Sequence, residues 1–182
     1  MQIKFKDRVI NLPAKALNPG MDAPAIELVK TDLSLVNIGG IREKTQLIIT
    51  ALSVDTPVCG ATARRFESMA ARLDNTDLYF ISCDLPFALA RFASTDDISR
   101  LTMLSDYRDR AFGEAFGVLV KERPITNLLA RAVFVIAPNG KITYIEIVDE
   151  IMSEPNYEIA IFAAENAARE AANDESETET ED

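Results

Sequence analysis

The chain contains no histidine, and this absence excludes nucleophilic sites in which an imidazole activates a serine or a cysteine. It also removes most zinc sites, since two cysteines without histidine rarely complete a closed site. We therefore predict no metal and no cofactor. A catalytic cysteine in this chain would have to be activated by a helix dipole and by a fixed cation, for which arginine is the natural candidate.

The two cysteines, Cys59 and Cys83, lie 24 residues apart and form no Cys-x-x-Cys motif, which excludes the usual dithiol oxidoreductase chemistry. No apolar run approaches the roughly 20 residues of a membrane-spanning helix. Residues 1–6 alternate in polarity and lack the long apolar core of a secretion signal. We therefore expect a cytoplasmic protein with no membrane partner.

An excess of basic residues is also absent: the net charge is −10, and six of the acidic residues fall in the segment 173–182, which contains no basic residue. The remainder of the chain carries a net charge of −4. Neither part offers the basic stripe that a nucleic-acid surface needs. We predict a single domain over 1–172, followed by an acidic disordered tail at 173–182.

Cys59 is the most informative residue that is present. It follows the apolar run 46–52 and precedes a stretch in which apolar residues recur at helical spacing to about residue 73. A thiol there lies at a helix N-terminus, where free backbone N–H groups and the helix dipole favour the nucleophilic thiolate. The alternative interpretation is a small buried cysteine that begins a helix.

Strands and helices alternate along the predicted chain. In order we predict a hairpin of strands at 2–6 and 8–12, strands at 26–30, 35–38 and 46–52, a helix at 59–73, a strand at 77–83, a helix at 86–92, a strand at 101–104, a helix at 110–116, a hairpin of strands at 130–137 and 141–148, and a helix at 157–172. This order predicts an α/β protein with a mixed central sheet. It matches the thioredoxin-like arrangement, in which the helix after the first core strand carries the reactive cysteine at its start.

Two further residues are candidates for the same site. Thr56 lies three residues before Cys59, where its hydroxyl can bond to the sulfur or to a substrate oxygen, or can simply cap the helix. Arg131 interrupts the apolar run 128–135, and a charge in a core strand is costly unless it is paired or faces a site. Arg131 is therefore either the cation that Cys59 needs or an edge arginine in an ion pair.

Six separate motifs lie in order along the chain, at 53–59 (Ser-Val-Asp-Thr-Pro-Val-Cys), 82–88, 104–108, 115–118, 129–135 and 154–157. Together they resemble the thiol peroxidases of the atypical two-cysteine peroxiredoxins. The resemblance implies a peroxiredoxin-type thioredoxin fold with an N-terminal β-hairpin. It also implies a peroxidase that reduces hydrogen peroxide and organic or lipid hydroperoxides.

By this resemblance, Cys59 is the peroxidatic cysteine, whose thiolate attacks the terminal oxygen of a hydroperoxide and becomes a sulfenic acid. Thr56, Arg131 and the backbone N–H groups of the helix start would hold the peroxide oxygens and stabilise the developing charge. The resemblance further implies a homodimer and reduction by thioredoxin or another thiol. The residues implied to line the substrate pocket are Leu52, Leu85, Pro86 and Phe87.

Two positions depart from the family pattern. Leu52 stands where the family usually has a proline, so the turn loses a rigid element although leucine can still exclude water. Ala93 stands where the family has its resolving cysteine, so an internal disulfide of the family type cannot form. Ala93 indicates an engineered variant, a natural one-cysteine enzyme reduced by an external thiol, or replacement of the resolving cysteine by Cys83, for which we otherwise predict core packing.

Two other classes of function stay open at this point. The first is a non-catalytic redox sensor or relay on the same fold, in which Cys59 is oxidised slowly and passes the signal to a partner thiol. The second is a structural or holdase-like protein, whose function would not depend on Cys59. A peroxidase is separated from both by the rate at which Cys59 reacts with peroxide.

Overall fold

The sheet and helices of this chain are given by a computed structural model that describes residues 1–13 and 17–179, with the backbone alone at 174–179. The strands are β1 (Gln2–Phe5), β2 (Arg8–Asn11), β3 (Ile26–Lys30), β4 (Leu35–Ile38), β5 (Thr45–Thr50), β6 (Thr76–Ser82), β7 (Leu101–Ser105), β8 (Ala132–Ile136) and β9 (Ile142–Ile147). The helices are α1 (Pro57–Met69), α2 (Pro86–Thr95), α3 (Ala111–Ala115) and α4 (Tyr157–Glu179), and a 3-10 turn at Ala70–Arg72 follows α1. Within the described ranges, no helix has the length and apolar character needed to cross a membrane.

Seven strands form one mixed sheet in the order β4-β3-β7-β6-β5-β8-β9, and β1 pairs with β2 in a separate antiparallel hairpin. β5, β6 and β7 run parallel to one another, whereas β8 and β9 continue the sheet in antiparallel pairs. Every residue of β5 is buried, as expected for a central strand that is covered on both faces. These features confirm the predicted mixed sheet and the N-terminal hairpin.

Helix α1 follows the central strand and positions the candidate cysteine. It begins at Pro57, two residues before the predicted start at Cys59, because proline at the first helical position has a suitable fixed φ and lacks only an N–H that would be unpaired anyway. The predicted apolar stripe of Ala63, Phe66 and Met69 is buried. Cys59 therefore lies in the first turn of a helix whose other end is fixed in the core.

The end of α4 differs from its predicted place at Ala172, because the helical backbone continues to Glu179. No glycine or proline lies between these two residues, so no strong stop signal ends the helix. The acidic disordered tail at 173–182 stays a prediction. Residues 180–182 of that tail lie outside the described residues, and the boundary between domain and tail stays a prediction.

Candidate active site

Cys59 is completely buried, with an exposed fraction of 0%. It is the third residue of α1, so its backbone N–H is among those at a helix start that have no partner within the helix. Its sulfur accepts a hydrogen bond from Nη2 of Arg131 at 3.4 Å. The structure therefore brings together two of the residues that the sequence predicted for one site, although they are 72 positions apart in the chain.

Arg131 is also buried, with an exposed fraction of 1%. It lies one residue before β8, which begins at Ala132, so the predicted strand started too early. Its Nε and Nη2 donate to the carbonyl oxygen of Ile151 at 3.2 and 3.0 Å, and its Nη1 donates to Oγ1 of Thr62 at 3.2 Å. These bonds fix the guanidinium from two sides.

The alternative interpretation of Arg131 as an edge arginine in an ion pair is wrong for the part of the chain that the structure describes. No carboxylate there forms a salt bridge with Arg131. A buried guanidinium is costly without a compensating charge. Among the described groups that bond to it, the sulfur of Cys59 is the one that can become an anion. Arg131 therefore faces Cys59 as a buried cation inside the candidate site, not as an edge residue.

Thr56 is the residue before α1, in an extended conformation. Its hydroxyl donates to the carbonyl oxygen of Ser53 at 3.1 Å. In this arrangement the hydroxyl makes no side-chain cap for α1, and its bond goes to Ser53 instead of the sulfur of Cys59. Thr56 is thus close in sequence to the cysteine but is engaged within its own turn.

Asp84, which sequence reasoning did not single out, holds the loop that enters α1. Its carboxylate accepts hydrogen bonds from Oγ of Ser53 at 2.7 Å, from the backbone N–H of Val54 at 2.9 Å and from Oγ of Ser82 at 2.8 Å. Its backbone carbonyl accepts the hydroxyl of Ser105. Asp84 therefore ties the loop to the ends of β6 and β7.

The residues predicted to line the substrate pocket divide into two groups. Leu52 and Pro86 are buried, whereas Leu85 and Phe87 are 53% and 66% exposed. The exposed pair gives the start of α2 an apolar surface.

Ala93 lies on α2, partly buried against the core. Arg91 on this helix pairs with Asp55 at 2.9 Å, and Arg64 on α1 pairs with Asp96 at 2.7 Å, directly after α2. These contacts hold α2 beside the start of α1. Ala93, the position at which the resemblance implied a resolving cysteine, therefore lies on the helix that is paired with α1.

Cys83 follows β6, is partly buried and packs against the core. Burial raises the pKa of its thiol to about 12; the carboxylates of Asp106 and Asp84 act in the same direction, and Arg110 opposes them. At neutral pH this sulfur is protonated and is a poor nucleophile. Both cysteines carry free thiols.

Three other contributions to the site were also missed from the sequence. Thr62 could have been found, because a residue three positions after Cys59 lies on the same side of a helix. Tyr157 belongs to one of the motifs but carried no assigned role. The carbonyl of Ile151 gave no signal, since any residue type can supply a backbone oxygen.

Comparison with known proteins gives consistent matches. Residues 18–161 match the redoxin family. The chain is 42% identical to a thiol peroxidase of Campylobacter jejuni over 154 residues, which are 85% of this chain and 87% of that protein. It is also 42% identical to a thiol peroxidase of Bacillus subtilis over 163 residues, covering 90% and 96% of the two chains.

Among solved structures, the chain is similar to a peroxiredoxin-like protein from Aquifex aeolicus, with a TM-score of 0.88, 36% identity, and coverage of 91% of this chain and 96% of that one. A thiol peroxidase from Chromobacterium violaceum has a TM-score of 0.78 at 21% identity and covers 95% of this chain and 98% of its own. The second likeness concerns the fold alone. Both confirm the predicted thioredoxin-like architecture of the peroxiredoxin type.

Proposed function

The chain belongs to the redoxin family and, within it, to the thiol peroxidases, and on that basis we propose that Cys59 is the peroxidatic cysteine of this enzyme. The enzyme reduces a hydroperoxide and takes its electrons from a thiol. A non-catalytic sensor is not favoured, because the relatives that match most of the chain are peroxidases. The observation that carries our proposal is the 3.4 Å contact between Cys59 and a buried arginine that has no carboxylate partner among the described residues.

In the proposed reaction, the thiolate of Cys59 attacks the terminal oxygen of the hydroperoxide. A sulfur–oxygen bond forms as the oxygen–oxygen bond breaks, so the sulfur is oxidised by two electrons to a sulfenic acid and the peroxide is reduced. The departing oxygen takes up a proton and leaves as an alcohol or as water. No imidazole takes part in this scheme, because the chain contains no histidine.

Arg131 has two roles in this proposal. Its Nη2 holds the thiolate before the reaction, and its N–H groups stabilise the charge that develops on the departing oxygen. The backbone N–H groups at the start of α1 act in the same way. Thr56 contributes when its hydroxyl leaves the Ser53 carbonyl and bonds to a peroxide oxygen.

The sulfenic acid is reduced by an external thiol in this scheme, since Ala93 supplies no resolving sulfur and the raised pKa of Cys83 makes it a poor substitute. One thiol forms a mixed disulfide with Cys59 and releases water, and a second thiol frees Cys59 as the reductant becomes a disulfide. We propose thioredoxin or another cytoplasmic thiol as the reductant. The same cycle holds whether Ala93 is natural or introduced.

We further propose that Leu52, Leu85, Pro86 and Phe87 favour organic over inorganic hydroperoxides. The support for this is the apolar surface at the start of α2, where Leu85 and Phe87 are exposed. A homodimer that covers part of this surface is consistent with the same exposure, because large apolar side chains at a surface are typical of interaction sites.

The test is a turnover assay with a small dithiol, with hydrogen peroxide or an organic hydroperoxide as substrate. The wild type, Cys59→Ser and Cys83→Ser are compared as a matched set. We expect peroxide consumption to be abolished in Cys59→Ser and retained in Cys83→Ser. Consumption that persists in Cys59→Ser, or that disappears in Cys83→Ser alone, would contradict the assignment.

A further inference from the structure

Thr62 lies on α1, one turn after Cys59, and is completely buried. Its hydroxyl donates to the carbonyl oxygen of Val58 at 2.8 Å. It accepts one hydrogen bond from Nη1 of Arg131 at 3.2 Å and one from the hydroxyl of Tyr157 at 3.4 Å. A hydroxyl has one proton and two lone pairs, so the bonding capacity of Thr62 is fully used.

The position of Thr62 determines which edge of the guanidinium meets the sulfur. The guanidinium is planar, so two anchored edges fix its orientation. Thr62 anchors Nη1 on one side, and the carbonyl of Ile151 anchors Nε and Nη2 on the other. With both anchors in place, Nη2 is the nitrogen that donates to the sulfur of Cys59.

Tyr157 connects this arrangement to the terminal helix, since it is the first residue of α4. Its ring packs against Phe66 of α1 with a centroid distance of 5.1 Å and an interplanar angle of 62°. Burial raises the pKa of its phenol to about 12, with Glu154 acting in the same direction and Thr62 and Arg131 opposing it, so the hydroxyl is protonated at neutral pH. This hydroxyl donates to Thr62. Tyr157 thereby holds the Thr62 hydroxyl in the orientation that receives Arg131.

We propose that Thr62, supported by Tyr157, is a positioning residue of the peroxidase, which aligns Arg131 with the sulfur of Cys59. The inference rests on the proposed function, because it matters only if Arg131 assists the reaction of Cys59. Thr62 does not contact the reacting atoms and acts entirely through the guanidinium. It extends the site beyond the residues that the family resemblance implied.

The experiment measures the second-order rate of sulfenic acid formation on reduced full-length protein by rapid quenching with dimedone and intact mass. Thr62→Val and Thr62→Ala remove the hydroxyl, and Thr62→Ser keeps it. We expect the first two variants to lose about tenfold to hundredfold in rate, the range of effects that follows from a small misplacement of a catalytic group. Thr62→Ser should retain most of the wild-type rate.

The matched control is Thr95→Val on α2. Thr95 makes the same kind of bond to the carbonyl four residues earlier, at 2.9 Å to Arg91, and no hydrogen bond among the described residues joins its side chain to Thr56, Cys59 or Arg131. Its rate should equal that of the wild type. A slow Thr62→Ser variant would show that the hydroxyl is not the feature that matters and would overturn the inference.

Repeating the Thr62 substitution in an Arg131→Met protein separates this inference from the proposed function. In Arg131→Met, the loss of Thr62's hydroxyl should cause no further decrease in rate, because the group that Thr62 aligns is gone. A fast Thr62→Val with a slow Arg131→Met would overturn the role of Thr62 and leave the proposed function intact. The role of Thr62 would also be overturned if the double variant lost as much rate as the two single variants together. A fast Arg131→Met would reject the role of Arg131 itself.

Discussion

The two cysteines are both free thiols, but one is buried and the other is partly exposed, and their neighbours differ. Cys59 is completely buried, but it sits at a helix start and accepts a hydrogen bond from a guanidinium. Cys83 is partly exposed, but burial and two carboxylates raise the pKa of its thiol to about 12. The charges and donors around a sulfur therefore distinguish the two sites better than their exposure does.

Each cysteine has an arginine near it, but the charges that accompany the two arginines differ. Arg131 has neutral oxygens as its other partners, so its charge remains available to the sulfur of Cys59. Arg110 acts on Cys83 together with Asp106 and Asp84, whose charges oppose it. The thiol of Cys83 therefore has two carboxylates near it that oppose the effect of its arginine on the pKa.

Of the substitutions that test this comparison, Arg131→Met is expected to cause the largest decrease in the rate at which Cys59 reacts with hydroperoxide. Loss of a donor to developing oxygen charge typically costs about a hundredfold to a thousandfold in rate, and we expect a decrease of that size for Cys59. Arg131→Lys should recover only part of it, because an ammonium cannot reproduce the planar fork that bonds Thr62 and Ile151. Rapid-quench kinetics of sulfenic acid formation provide the measurement.

The control for that prediction is Arg72→Met, which removes an arginine that pairs with Glu158 and Glu165 at the surface. Exposed ion pairs contribute little to stability, so both the fold and the rate should be retained. If Arg131→Met and the wild type form the sulfenic acid at equal rates, Arg131 does not account for a difference between Cys59 and Cys83.

Ala93→Cys places a second thiol on α2, at the position that resembles the resolving cysteine. One equivalent of hydroperoxide should then convert the protein into an internal disulfide between positions 59 and 93. Intact mass after oxidation detects this as the loss of one pair of hydrogens and the absence of a dimedone adduct. Ala93→Ser is the control, and dimedone should still trap its Cys59 as a sulfenic acid. If dimedone traps Ala93→Cys to the same extent, α2 does not bring residue 93 to the sulfur of Cys59.

A smaller decrease is expected from Asp84→Asn, because Asp84 holds the loop before α1 through Ser53 and Val54. The amide keeps one acceptor oxygen and loses the second, so the loop is less firmly placed and the rate should fall by about tenfold. Its neighbour in sequence provides the comparison, since Cys83→Ser should leave the rate unchanged. Similar rates for both variants would show that the loop does not depend on this carboxylate.

The smallest effect concerns stability near Cys83. Burial raises the pKa of Asp106 to about 6, and the nearby carboxylate of Asp109 raises it further. Hydrogen bonds from the backbone N–H groups of Gly113 and Phe112, and the charge of Arg110, act in the opposite direction. The native state thus binds the proton more tightly than the unfolded chain. The resulting stabilisation is complete below about pH 4 and is lost as the pH rises through about 6.

Urea unfolding of the wild type and Asp106→Asn at intervals between pH 4 and pH 7 tests this assignment. The free energy of unfolding of the wild type should decrease over that interval relative to the variant, because the amide does not titrate. A constant difference between the two proteins would show that Asp106 ionises as easily in the native state as in the unfolded chain.

Much of the fold followed from the sequence, because local patterns determined it. The strands at Ile26–Lys30 and Leu35–Ile38 have the predicted bounds, and Pro57 marks the helix start that presents Cys59. A cysteine after a core strand and a lone arginine in an apolar run marked the two residues as candidates, and the structure decided between the alternatives for Arg131 by joining it to Cys59.

The rest depended on contacts between distant segments. The bond of Thr62 to Arg131 forms only when α1 packs against the start of β8, and Tyr157 reaches Thr62 only when α4 is docked. The rotamer that turns the hydroxyl of Thr56 toward Ser53 is likewise not encoded in a motif. Sequence patterns identified the reactive groups, whereas the groups that orient them became evident from the tertiary structure.

The central claim is that Cys59 reacts with hydroperoxide and Cys83 does not. The most direct test treats fully reduced protein with one equivalent of an organic hydroperoxide in the presence of dimedone, followed by intact mass and peptide mapping. The claim predicts one rapidly formed adduct on Cys59 and an unmodified Cys83. An adduct on Cys83, a disulfide between the two cysteines, or no reaction would contradict it.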